Sequence, residues 1–317
     1  MFNKSLKRLV ATKELGIFLV LILLSIVINF INPVFFVFDN IIEVFRNTSY
    51  TAIIAFGMTL LIIAKGLDLS VGAVFALCGL ITSVLLFRGW SIPVSIFIGL
   101  SVGALIGLFN ALTVVFLRIP SMIATLGSMY MARGLVLVIT KGKPVYPLPE
   151  AFSKIGQGKL FHIPLIVYVA FVLAIIWHIV LTRTVFGRKI YAIGGNETTA
   201  KYAGINVPVV TAGVYVIAGA LSALSGILTA ARFGSGQPTV GEGMEMSVIA
   251  AVIIGGASMT GGSATVLGTV LGSLLITVIA TGMNLVGVSP YWQRFVTGLV
   301  IIIAVGLDQY QRRKKKG

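Results

Sequence analysis

The chain has 317 residues, 57% hydrophobic and only 10% charged, with a mean hydropathy of +1.05. A net charge of +15 would point a soluble protein toward nucleic acid. Here the basic residues gather at both ends and between apolar runs, as the cytoplasmic segments of membrane proteins do, so no nucleic-acid partner is expected. A single cysteine, Cys78, excludes an intrachain disulfide and a multi-cysteine metal cluster, and His162 and His178 lack ligand spacing, so no metal site is expected.

Ten apolar runs read as spans, given that about 20 residues cross a hydrocarbon core of ~30 Å. They are 15–32, 48–65, 71–87, 92–117, 122–140, 164–182, 208–232, 245–258, 263–284 and 291–307. The expected fold is an all-α membrane protein of about ten transmembrane helices, forming one polytopic domain over 1–317. The first run is too long, and Asn29-Phe30-Ile31-Asn32-Pro33 too poor a cleavage site, for a signal peptide, so it reads as an uncleaved helix. The eighth run is short and bounded by glycine and reads as a broken or partial span.

An even number of spans puts both termini on one side. Cytoplasmic segments are then 1–14, 183–207 and the basic tail 308–317, and most Lys and Arg residues fall on that side, as the positive-inside rule requires. The outer loop 141–163, with Lys141, Lys143, Lys154 and Lys159, runs against the bias, and eight or nine spans remain alternatives.

Two acid-bearing breaks interrupt the apolar pattern. Gly66-Leu67-Asp68-Leu69-Ser70-Val71-Gly72 lies between the second and third spans, and Gly243-Met244-Glu245-Met246-Ser247-Val248 opens the eighth. Gly134-Leu135-Val136-Leu137-Val138-Ile139 in the fifth span likewise parallels Gly298-Leu299-Val300-Ile301-Ile302-Ile303 in the tenth. Corresponding spans five apart give two inverted five-helix halves with a pathway between them. A carboxylate at membrane depth must reach water or be paired. Three roles stay open for Asp68 and Glu245: capping a helix start, lining a pathway, or carrying protons. Ser70 and Ser247 can do the same or bond locally to backbone. Lys65 would pair with Asp68 if that stretch were helical, and Arg133, inside the fifth span, would snorkel or pair with a carboxylate. Glycines at four-residue spacing, Gly99, Gly103 and Gly107 among them, read as close helix packing.

Within 183–207 a short helix is well punctuated: Asn196 can cap it, Glu197 sits in its positive first turn and Gly204 can close it. Such a helix could lie on the membrane surface or dock into a partner groove.

Three blocks together resemble the permease subunit of bacterial ABC transporters that import ribose, galactose, xylose or arabinose. They are Gly57-Met58-Thr59-Leu60 leading into the first break; Gly187-Arg188 through Gly194-Gly195-Asn196-Glu197 to Gly204-Ile205-Asn206-Val207; and Gln237-Pro238-Thr239 through Gly255-Gly256 to Gly261-Gly262. The resemblance covers nearly the whole chain. It implies a subunit of the inner (cytoplasmic) membrane, in contact with lipid, that pairs with a second permease subunit, identical or paralogous, on an ATPase. A periplasmic sugar-binding protein would deliver the substrate. The chain itself would bind no cofactor and catalyse nothing; ATP and Mg would bind the ATPase. The segment Gly194, Gly195, Asn196, Glu197, Thr198, Ala200 and Gly204 would be the coupling helix, which favours partner docking over the membrane surface. Asp68, Ser70, Asn110, Gln237, Glu245 and Ser247 are candidates for the pathway or for its helix breaks. A proton-coupled secondary transporter using Asp68 and Glu245 is the rival. Within the ABC class a nucleoside, a signalling (autoinducer) furanose or a branched-chain amino acid remains a possible substrate.

Overall fold

Long apolar runs, broken by Gly, Pro and Asn, fold as helices because only intra-segment hydrogen bonding satisfies the backbone in lipid. The computed structural model describes residues 13–289, 291–299, 302, 303 and 306. Residues 1–12 of the expected N-terminal segment, the tail 308–317 and part of the tenth expected span lie outside the described residues.

Helix α1 covers Lys13–Ile31. After a one-turn helix at Pro33–Phe36 come α2 (Phe38–Ile63), α3 (Val71–Phe87), α4 (Ile92–Val115) and α5 (Ser121–Thr140). A short helix α6 (Glu150–Gln157) and a two-residue antiparallel hairpin, β1 (Lys159–Leu160) with β2 (Ile163–Pro164), follow. Then come α7 (Leu165–Arg183), α8 (Val185–Gly195), α9 (Glu197–Tyr202), α10 (Val207–Phe233), α11 (Met244–Ile254) and α12 (Val266–Leu285). Residues 291–299 are again helical.

Among the described residues, six helices (α1, α4, α5, α7, α10 and α12) are long and apolar enough to cross a membrane. Helix α2 begins ten residues before the expected span, because its polar first turns, with Asp39, Glu43 and Arg46, are helical too. Helix α11 has 11 residues, which at about 1.5 Å each rise some 16 Å, roughly half a hydrocarbon core. The eighth expected span therefore does not cross as a helix. The expected pairing of Lys65 with Asp68 does not form: the chain leaves the helix at Ile63, and Lys65 sits in the left-handed region at φ 63°.

The core is the second half of α2, where Ile53, Ile54, Ala55, Met58, Leu60 and Ile63 are fully buried, enclosed by α10 and α12. Small residues bring backbones together. A Cβ on Gly103 would lie 2.6 Å from the Gly219 carbonyl oxygen, and one on Gly79 would lie 2.6 Å from that of Gly226. Polar links tie α2 to α12 and α10: the Thr59 and Thr269 hydroxyls are 2.6 Å apart, and Ser225 Oγ donates to the Tyr50 carbonyl at 2.9 Å. At the far end of α10, Arg232 donates to Glu43 and Asn47 of α2, both at 2.8 Å. Cys78 is buried with its thiol free.

Candidate functional site: two facing breaks and a clamp

The first break, residues 64–70 running on into the first turn of α3, is irregular backbone tied by side chains to α5 and α10 and by its own local hydrogen bonds. The Leu67 carbonyl accepts from Tyr215 of α10 at 3.2 Å, and the Leu69 N–H donates to Thr125 of α5 at 3.0 Å. Asp68 is 1% exposed. Its Oδ1 accepts from the Ser70 N–H at 2.7 Å and the Ser70 hydroxyl at 2.5 Å, and its Oδ2 accepts from Asn110 at 3.2 Å. Asn110 also donates to Ser70 Oγ at 2.9 Å. The carboxylate thus serves an Asx-type turn just ahead of α3 and does not meet solvent.

The second break, 234–243, follows α10 and leads into α11. Its start is pinned by an antiparallel bridge between Gly236 and Val145, so the 141–149 loop covers the end of α10. Gln237 donates to Ser235 at 3.1 Å and is half-buried. Gly243 takes a left-handed φ of 75° and starts α11, with Glu245 in its first turn. The two breaks meet. A Cβ on Gly72 would sit 2.5 Å from both the Gly241 carbonyl oxygen and Glu245 Oε2, so the first turn of α3 rests on the backbone of the second break and on a side chain from the first turn of α11.

Where the first break leaves α2, the end of that helix meets both the 183–207 segment and the α11–α12 connection. The Gly262 N–H donates to the Ile63 carbonyl at 2.9 Å, and Gly194 packs where a Cβ would collide with that same carbonyl. Lys65 Nζ reaches the Gly195 carbonyl at 3.5 Å. Tyr191 donates its hydroxyl to the Ala264 carbonyl at 2.7 Å, and burial pushes that phenol above its ordinary value, so it remains a donor. Helix α9 projects from this clamp. Asn196 Oδ1 accepts from the Thr199 N–H at 3.0 Å, Ala200 is buried beneath it, and Gly204 closes it at φ 79°. Gly195, Asn196, Glu197 and Thr198 are exposed.

A cavity of about 530 Å³ lies between α11, α12 and residues 291–299. Its polar wall is Glu242, Ser247, Gln293, Arg294 and Thr297, opposed by Met246, Ile276, Ile279 and Met283. Arg294 and Glu242 approach to 3.6 Å within it.

The profile of a protein family described as "Branched-chain amino acid transport system / permease component" matches residues 40–305. The chain belongs to this family. The permease is 40% identical to the ribose import permease protein of Haemophilus influenzae over 303 residues, covering 94% of each chain. It is 40% identical to the ribose import permease of Bacillus subtilis over 299 residues, 94% of this chain and 93% of that one. It is 35% identical to the galactose/methyl galactoside import permease of Escherichia coli over 324 residues, 96% of each chain. No solved structure matches it. Family and apolar helices together make it a multi-pass protein of the inner membrane.

Of the permease residues singled out in the sequence, Asp68, Ser70 and Asn110 form one buried network, whereas Gln237, Glu245 and Ser247 belong to the second break and the start of α11. Only Ser247 of these six lines the large cavity. Sequence reasoning passed over Thr125 and Tyr215, ordinary residues inside apolar runs, and Glu242, Gln293, Arg294 and Thr297, whose convergence has no local signature. Arg133, expected to snorkel or to meet a carboxylate, instead donates to backbone carbonyls of both breaks.

Proposed function

We propose that this chain is the membrane subunit of an ATP-driven importer of a monosaccharide, ribose first and galactose next. The observation that carries this reading is the likeness to ribose import permeases along 94% of the chain. Two further features support it. The α8–α9 junction and the first residues of α9 present Gly195, Asn196, Glu197 and Thr198 outward from a clamp that reaches both inner connections, as a coupling helix needs to. The α2–break–α3 and α10–break–α11 units are alike in plan and meet at their breaks, which favours two inverted halves within about ten spans, both termini cytoplasmic.

In this reading 1–317 is one permease domain with cytoplasmic segments 1–14, 183–207 and 308–317. It pairs with a second permease subunit and sits on an ATPase that binds ATP and Mg. A periplasmic sugar-binding protein supplies the sugar. ATP binding draws the ATPase subunits together and displaces α9. Through Gly194, Gly262 and Ile63 that displacement reaches the inner ends of α2, α11 and α12, and the pathway changes its open side. Polar groups along the route hold the sugar weakly, since tight binding would slow release.

Two measurements test the proposal. Tagged protein, expressed with its neighbouring genes and extracted in mild detergent, should carry a nucleotide-binding subunit in equal molar amount. Cells expressing that set should accumulate labelled ribose or galactose in an ATP-dependent, protonophore-insensitive manner, uncompeted by leucine. Uptake driven by a proton gradient without the ATPase, or uptake competed by leucine alone, would sink it.

A further inference from the structure

Arg133 lies in the middle of α5, half-buried, where an unpaired guanidinium is costly. Nη1 donates to the Val240 carbonyl at 2.9 Å and the Pro238 carbonyl at 3.4 Å, and Nη2 donates to the Gly72 carbonyl at 3.4 Å. One side chain therefore bonds the second break and, at the same time, the first turn of α3. Glu242 and Glu245 lie close enough to offset part of the cost of burying its charge. Two features of α5 place it. Ala132 and Val136 are buried against Ala73, Ala76 and Leu77 of α3, which fixes the helix face. Thr125, two turns earlier, accepts the Leu69 N–H of the first break. Residues i and i+8 share a face of a helix, so α5 holds one break with Thr125 and both with Arg133.

We propose that Arg133 is the positioning residue that joins the two breaks into one mechanical unit, so that the starts of α3 and α11 shift together during transport. A planar fork presents several donors in fixed geometry to carbonyls on two segments at once, whereas a lysine ammonium is a compact point charge whose rotatable donors are not pre-set for that arrangement. Irregular backbone at membrane depth persists only where protein satisfies it, so losing the fork loosens both segments and not one. The link to transport rests on the permease reading; the joining of the breaks does not.

Hydrogen exchange on the assembled importer in nanodiscs tests it. Trapping the wild type with ATP and vanadate should change protection in 70–74 and 238–242 together; a change in one segment alone overturns the link. Arg133→Lys, which keeps the charge but not the fork, should raise exchange in both segments about tenfold, the scale of one lost charge-assisted hydrogen bond. Exchange unchanged in either segment also overturns it. In proteoliposomes Arg133→Lys should consume more ATP per sugar delivered, with half-saturation by the sugar-loaded binding protein unchanged. A wild type that moves no monosaccharide would overturn the functional reading while leaving the exchange comparison intact.

Discussion

The Asp68 carboxylate and the Asn110 amide meet across the first break, Oδ2 accepting from Nδ2 at 3.2 Å, while Asn110 Oδ1 has no hydrogen-bond partner among the described residues. That asymmetry sets what substitution does. Asp68→Asn places an amide donor against a donor, but Asn110 can rotate its amide and offer the free oxygen. Asp68→Ala strips the Ser70 N–H and hydroxyl of their acceptor in a buried site, at about 1–3 kcal/mol for each group left unpaired. Thermal unfolding in detergent should rank wild type above Asp68→Asn, with Asp68→Ala lowest. Asp68→Asn should keep substantial uptake; complete loss in a fully assembled importer would assign the charge itself to transport.

Gly72 is where the breaks touch, and an added methyl would lie 2.5 Å from two oxygens. Gly72→Ala must shift the Gly241 stretch of the second break away from α3 and turn the Glu245 carboxylate aside, an overpacking cost of about 1–3 kcal/mol. We expect a lowered melting temperature and impaired uptake. Gly195, with nothing within 4 Å of its would-be Cβ, is the control: Gly195→Ala should leave melting unchanged.

The clamp between α2, α8 and the α11–α12 connection can be loosened without touching α9's exposed edge. Tyr191→Phe removes one hydrogen bond to the Ala264 carbonyl, worth about 1 kcal/mol, and should lower uptake per ATP hydrolysed more than it lowers ATPase activity. Asn196→Ala removes the cap of a six-residue helix, typically about 1 kcal/mol. Its expected mark is weaker retention of the ATPase during purification. Equal retention would count against α9 as the docking element.

Glu242 and Arg294 are 50% and 72% exposed, and a pair so exposed adds at most about 1 kcal/mol. Arg294→Gln should leave stability alone. If the cavity lies on the sugar's route, uptake should change while ATPase activity holds, and a charge swap of the two residues should restore part of it. Unchanged uptake would remove the cavity from the pathway.

Much of this arrangement is legible in residues that act locally. Asn196 and Gly204 carry their own capping chemistry, and Gly99, Gly103 and Gly107 fall on one face by spacing alone. The glycines at 243 and 255 mark both ends of α11. Less was readable where partners are distant in sequence. Arg133 finds its acceptors 61 to 107 residues away, and carbonyls leave no trace in side-chain patterns. The first turns of α2 escaped because polar residues there lie outside the apolar run, and α6 because eight residues are shorter than the stretch over which a helical period can be read.

The backbone contacts of Gly79 with Gly226 and of Gly103 with Gly219 bear on how the molecule can deform. Ordinary helix pairs are separated by a layer of side chains whose rotamers absorb small sliding motions. Where main chain rests on main chain that lubricating layer is missing, and axial shear by a fraction of a turn would drive a carbonyl into a Cα. Helices α3, α4 and α10 are therefore a stiff block that can rotate or tilt whole but not slip internally. Any change of access must pass through hinges at its borders.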